Sequence, residues 1–238
     1  HTQYRSLVSE LFTGSRIRAA EASVQKVIDD TIASVKGAPQ FDFMTRFANP
    51  VPLLIIGDRL GVPRAAREVF EHAAPEAAGG LRLSPLTPEQ MVERAETALA
   101  LQRFLIDLVE KRRAKPEDDM ISILANSKLS EADRLLTHGE CLSILNQFLV
   151  AGHETTTSAF GWGMLHLCHN PEVQGQLRGN AKVIKTFVEE ALRLDAPVQG
   201  LPRLVTRDTQ LGGVDIPAGS MIMLRIGAAN RDERQFED

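Results

Sequence analysis

The chain has 238 residues, 43% of them hydrophobic and 24% charged, and its 27 basic and 31 acidic side chains leave a net charge of −4. That balance excludes wholesale disorder, gives no electrostatic ground for nucleic acid as a partner, and suits a soluble globular protein with a sizeable core. No stretch reaches the roughly eighteen uninterrupted apolar residues of a membrane span, and two cysteines, Cys141 and Cys168, are too few for a disulfide scaffold and fit a reducing cytoplasm.

The chain opens on His1 without an initiator methionine or a secretory pattern, and closes on Phe236, Glu237 and Asp238 without a helix stop. Both ends are therefore expected to be cuts in a longer protein. After the turn residues Thr13, Gly14 and Ser15, the apolar positions Val24, Val27, Ile28 and Ile32 predict an amphipathic helix. Val51 to Leu60 predicts a buried helix with Pro52 in its first turn, ended by Gly61, with Pro63 opening the next element. A loop rich in Ala, Pro and Gly runs from Ala73 to Pro85; its Leu81 and Leu83 suggest an apolar entrance. Thr87-Pro88-Glu89-Gln90 then supplies a cap, a first-turn proline and an acid for a long helix to Arg113.

A short helix is expected around Met120 to Ala125. From a capping-box-like start at Ser130-Glu131-Ala132-Asp133, helical periodicity then persists to His169, with Asn170-Pro171 as the stop. Two shorter helices follow, about Glu172 to Leu177 and Ala181 to Leu194. Beyond Pro197 the expected strands are Leu204 to Thr206, Thr209 to Leu211, Val214 to Ile216 and Met221 to Ile226. The fold class is mainly α with a small β-sheet, arranged as a single domain over 1–238.

Two places break local rules. Ala151-Gly152-His153-Glu154-Thr155-Thr156-Thr157 puts a glycine and three β-branched threonines into the interior of the long helix, where glycine costs about 1 kcal/mol against alanine. Leu142, Leu145, Leu149 and Gly152 share an apolar stripe, so the missing side chain would let something flat and bulky approach the backbone. Glu154 and Thr155 set an acid and a hydroxyl beside that gap, a pair able to deliver protons into a dry pocket. A simple helix kink, with threonine hydroxyls bonded back to the preceding turn, is the other reading. The second place is Glu190-Ala191-Leu192-Arg193. Val183, Phe187 and Leu194 place Glu190 on an apolar face, where a buried carboxylate would need Arg193, one turn on, as partner. The alternative is a surface pair worth roughly 0.2–0.5 kcal/mol.

Together these motifs resemble the cytochrome P450 family of the soluble bacterial type. Ala151 to Thr156 is similar to its oxygen-activating segment and Glu190-Ala191-Leu192-Arg193 to its Glu-x-x-Arg signature. The intervening Asn170-Pro171-Glu172 also matches, as do Leu194 to Pro197, Arg203, Thr206-Arg207-Asp208, Ile216 to Gly219 and Ala228 to Asp232. The resemblance implies a multi-helical fold and a haem-thiolate monooxygenase that inserts one atom of O2 into a small apolar organic substrate. It also implies a ferredoxin or flavodoxin as electron donor.

On that resemblance His1, Arg5 and Arg203 would pair with the haem propionates, and Ala151 and Gly152 would lie against the haem. Glu154 and Thr155 would be catalytic, steering protons for the splitting of dioxygen. Val150, Ala151, Val198 and Leu201 would line the substrate pocket, while Glu190 and Arg193 would be structural.

The family's chemistry needs a cysteine thiolate on the iron, and no Phe-x-x-Gly…Cys-x-Gly pattern occurs here. Both cysteines are expected to be buried and structural. The chain is thus expected to be a fragment without the early helices and the ligand loop. On that expectation it would carry no metal ligand of its own and be inactive as it stands, while the parent enzyme would be cytoplasmic. Two other classes compete. His153-Glu154 begins like the zinc motif His-Glu-x-x-His, but position 157 is threonine, and helical spacing spreads His166, Cys168 and His169 around the axis. A non-catalytic helical binding domain would explain the composition but not the threonine run.

Overall fold

The structure, a computed structural model, describes residues 2–67, 70, 73, 86–129 and 134–236. They form two compact units, His1–Glu154 and Thr155–Asp238. The first unit is helical. Helix α1 (Thr2–Leu11) leads into α2 (Gly14–Val35), whose first turn is closed by the Thr13 hydroxyl accepting from the Arg16 amide, as the turn residues predict. A π-helical turn (Met44–Ala48) runs into α3 (Pro50–Leu60). Both prolines of α3 sit in the first turn, where backbone N–H groups lack intrahelical partners anyway. Val51, Leu53 and Leu60 are buried, and Gly61 ends the helix in the left-handed conformation at φ +82°.

Helix α4 (Pro88–Ala114) starts with a full capping box between Thr87 and Gln90. It buries Leu101, Leu105, Leu108 and Val109 along one stripe. Helix α5 (Met120–Asn126) is capped by Asp119. The core of this unit joins these stripes to Leu53 and Leu60 of α3 and to Leu145 and Leu149 of the long helix.

That long helix, α6 (His138–His169), begins later than the periodicity predicts. A two-stranded antiparallel pair, β1 (Lys128–Leu129) with β2 (Arg134–Leu135), occupies the ground before it; the expected capping box at 130–133 lies outside the described residues. The physical reason is a capping box seven residues downstream. Thr137 Oγ1 accepts from the Glu140 amide at 3.2 Å, and Glu140 Oε2 accepts from the Thr137 amide at 2.7 Å. Leu129 and Leu136 are buried, which carried an apolar rhythm through segments that are not helical.

In the second unit, α6 ends at His169 and is followed by α7 (Pro171–Gly179), a short 3-10 turn and α8 (Ile184–Leu194). Strand β3 (Leu201–Leu204) pairs antiparallel with β6 (Met221–Leu224), Leu201 opposite Leu224. This corrects the expected strand at 204–206, which begins three residues earlier, and ends the last strand at Leu224, since α9 (Ile226–Ala229) follows. Strands β4 (Thr209–Leu211) and β5 (Val214–Ile216) form a hairpin. Its turn residues Gly212 and Gly213 both have positive φ, +59° and +80°, the requirement of the tight turn whose twist suits a hairpin. No helix among the described residues is long and apolar enough to cross a membrane.

Candidate functional site

Around the Ala151–Thr157 segment, α6 has two different sides. One side is anchored. The position a Gly152 Cβ would take lies 3.0 Å from Ile56 Cδ1 of α3, and His153 is only 7% exposed, with Nε2 3.2 Å from the Asn49 carbonyl oxygen. The close approach that Gly152 permits is therefore to a neighbouring helix, where the sequence alone suggested a flat group. Its missing side chain lets α3 and α6 come together. The other side is open. Ser143, Gln147, Ala151 and Glu154, spaced 4-4-3, form an exposed stripe, with Val150 and Thr155 half-buried at its margins. The threonines do not all bond back along the helix: Thr157 Oγ1 is buried without a hydrogen-bond partner, as is His153 Nδ1.

The open stripe borders a groove between α1 and α6 of about 540 Å³, lined by Tyr4, Arg5, Val8, Ile144, Gln147 and Phe148 among others. Arg5 is exposed there, so the groove carries a cation at its rim. What holds α1 against α6 is Glu140. Its carboxylate accepts from Tyr4 Oη at 2.5 Å, from Arg134 Nη1 and Nη2 at 2.8 and 2.9 Å, and from Thr137. Arg134 first, then the Tyr4 phenol, hold the Glu140 carboxyl well below the usual carboxylate range; in return the bond to Glu140 pushes the Tyr4 phenol up. Tyr4 precedes Arg5 in the chain, so this network also fixes where Arg5 stands. Neither Tyr4 nor Glu140 was singled out from the sequence, although Thr137-x-x-Glu140 is a readable capping box.

In the second unit, Glu190 and Arg193 form a two-pronged pair, Arg193 Nε to Glu190 Oε2 at 2.8 Å and Nη2 to Oε1 at 2.6 Å. Arg193 Nη1 donates to the Asn230 carbonyl at 2.8 Å, and its guanidinium lies 4.8 Å from the Phe236 ring centroid. The pairing expected from the sequence is present. The burial is not: the Glu190 side chain is 51% exposed, because the half-buried face of α8 runs through Val183, Phe187, Ala191 and Leu194 and leaves Glu190 at its rim. Arg193 still holds the Glu190 carboxyl below the usual range. The arginine thus ties α8 to the turn after α9. Arg231 adds a second tie, its guanidinium donating to the Leu194 carbonyl at 2.6 and 2.9 Å.

Other sequence-predicted residues are placed one by one. Arg203 is exposed on β3, with Nη1 donating to the Pro202 carbonyl at 2.9 Å; Leu201 on the same strand is exposed and Val198 half-buried. His1 and the loop at 74–85, including Leu81 and Leu83, lie outside the described residues. His166 Nε2 lies 2.8 Å from Asp195 Oδ2, and among the described residues no group of three or more His, Cys, Asp or Glu is gathered to hold a metal ion.

The two cysteines differ. Cys141 is buried in the core, and burial pushes its thiol up, away from a thiolate; Cys168 is exposed, which corrects the expectation that both are buried. In the folded chain a maleimide should add to Cys168 and spare Cys141, and both should react in urea. Intact mass at each stage checks this.

Among the described residues the chain is mainly helical, with small antiparallel strand pairs. It belongs to the cytochrome P450 family, whose model matches residues 81–238. It is 35% identical over 246 residues to the Bacillus subtilis protein YjiB, itself named as a cytochrome P450, covering all of this chain and 60% of that one. It is 33% identical to the 6-deoxyerythronolide B hydroxylase of Saccharopolyspora erythraea, covering all of this chain and 57% of that enzyme. The solved structure of CYP109E1 from Bacillus megaterium in complex with testosterone superposes on it with a TM-score of 0.91 at 27% identity, over all of this chain and 63% of that one. The chain thus spans about 60% of the length of the relatives it matches.

The family's cofactor is haem, and these residues can be tested against it. Arg5, at the rim of a groove whose lining also holds Glu140 already paired to Arg134, is a donor of the kind that pairs with carboxylates. Neither cysteine suits the axial ligand: one is a neutral core thiol, and the other lies fourteen residues beyond Glu154 along the same helix.

Proposed function

We propose that the protein containing this chain is a cytoplasmic haem-thiolate monooxygenase, with residues 1–238 as part of one P450 domain. It inserts one oxygen atom of O2 into a small apolar organic substrate, with electrons from a ferredoxin or flavodoxin. The observation that carries this reading is the two-sided segment of α6. The Arg5 groove meets α6 at Ser143 and Gln147, on the exposed stripe that runs on to Glu154, while the opposite side is locked to α3.

Haem, when bound, supplies the reductive activation of dioxygen. The residues of this chain do the rest. Arg5, with His1 and Arg203, neutralises the carboxylates of the cofactor by charge-assisted hydrogen bonds. Ala151 offers a small side chain on the open stripe, against which a flat ring can lie. Glu154 relays protons from solvent and Thr155 holds the hydroxyl through which they pass. Val150, Val198 and Leu201 contribute apolar surface to the substrate pocket. Arg193 keeps α8 and the turn after α9 in place. The named hydroxylase relative and the testosterone complex support an apolar substrate of this kind. Haem uptake with a thiolate-type carbon monoxide difference spectrum, in a chain extended beyond Asp238, is the test. Haem bound without that spectrum overturns the proposal.

A further inference from the structure

His153 has no part in the chemistry proposed above, yet it and Thr157 are the two buried polar side chains of the segment, each at 7% exposure. Its Nε2 lies 3.2 Å from the Asn49 carbonyl oxygen, and its Nδ1 is buried with no partner. A carbonyl oxygen only accepts, so Nε2 carries a hydrogen and donates it to Asn49. Asn49 joins the π-helical turn at Met44–Ala48 to α3, and its own amide donates back to the Met44 carbonyl at 2.9 Å. The residue before His153 is Gly152, whose missing Cβ admits Ile56 of α3. Two consecutive residues of α6 are therefore locked to α3, one by a hydrogen bond and one by contact. Glu154, the next residue, is exposed.

We propose that His153 is a positioning residue: its bond to the Asn49 carbonyl sets the rotation of α6 about its own axis and so aims the Glu154 carboxylate. The lever is long enough to matter. A glutamate carboxylate stands roughly 6 Å from a helix axis, so a rotation of about 10° carries it about 1 Å. A displacement of that size is enough to cost about 10²-fold in rate when a catalytic group must be aimed. Gly152 cannot hold the rotation alone, because an apolar contact with Ile56 is not directional, whereas a hydrogen bond is.

This inference rests on the monooxygenase reading for its kinetic consequence but not for its structural one, and the test separates them. In the haem-loaded enzyme, His153→Leu keeps the bulk and removes the donor. His153→Gln places an N–H near the position of Nε2, and His153→Asn is too short to reach. The expected result for Leu and Asn is amide hydrogen exchange faster by about 10-fold or more over 150–156, and kcat lower by roughly 10-fold or more with KM unchanged. Gln should restore both. Exchange and kcat in His153→Leu equal to the parent's, or Gln no better than Asn, overturns the proposal. If the Leu variant fails to fold, the Gln and Asn pair decides alone. An enzyme that folds and shows the expected exchange pattern but oxygenates nothing overturns the proposed function and leaves His153 as the lock of α6.

Discussion

Glu154→Gln in the haem-loaded enzyme is expected to lower oxygenation turnover by about 10²-fold, the usual contribution of a positioned proton-transfer group. The substitution keeps the size and shape of the side chain and removes only its ability to take and give a proton. Because Glu154 is exposed on α6, fold stability should stay within about 0.5 kcal/mol of the parent. The apolar substrate does not need the carboxylate for binding, so KM should hold while kcat falls, as expected for an interaction made only in the transition state. Steady-state product formation across substrate concentrations, alongside a urea melt, checks both arms. A loss of stability equal to the loss of rate would assign Glu154 to the fold instead.

The second large effect is structural. Asp119→Ala is expected to destabilise the first unit by roughly 1–3 kcal/mol, through loss of the buried bond to Arg112 and of the α5 cap, while Arg112 keeps its ion pair to Glu117 at 2.9 Å. Asp119 accepts from Arg112 Nε at 2.6 Å, and both side chains are under 10% exposed. Its other oxygen accepts from the Ser122 amide at 2.7 Å and so caps α5. Arg112 also donates to the Gly61 carbonyl at 3.2 Å, which brings the end of α3, the end of α4 and the start of α5 to one point. Gly61 is required there twice over. Its φ is +82°, and a Cβ would run into the Asp119 carboxylate. Asp119→Asn keeps the cap and should cost visibly less than Asp119→Ala. The shift of the urea midpoint measures both, and equal shifts for the two variants would show that the charge pair, and not the cap, carries the effect.

The sequence made most of the helices legible because their punctuation is local. Thr13, Thr87 and Gly61 act within one turn of themselves, and the structure uses all three as caps. Elements set by tertiary pairing were harder. The β1–β2 pair was hidden because Leu129 and Leu136 kept an apolar rhythm that also fits a helix. Strand β3 was shifted because its place is fixed by pairing with β6, and Pro202, within a two-stranded pair, reads locally as a break.

At the site, Glu154 and Thr155 stood out because Gly152 and the threonine run around them violate helix propensity, but their surroundings did not. The partner of Gly152 is Ile56 on another helix, which no local pattern reveals. His153 had a readable signal in the spacing Leu145, Leu149, His153, which continues a buried row by four. Glu190 lies off the predicted face for a related reason: Ala191, whose small side chain gives a weak apolar signal, completes the half-buried face of α8 and leaves Glu190 at its rim.

The most direct measurement of the central claim is the carbon monoxide difference spectrum after haem reconstitution and reduction, recorded on this 238-residue chain and on one extended through the following loop. The account predicts a thiolate-type Soret shift in the extended chain alone, since Cys141 is a buried neutral thiol and Cys168 lies at the far end of α6. The same shift in the 238-residue chain would make one of these two cysteines the ligand. A folded, haem-bound extended chain without the shift would contradict the monooxygenase reading itself.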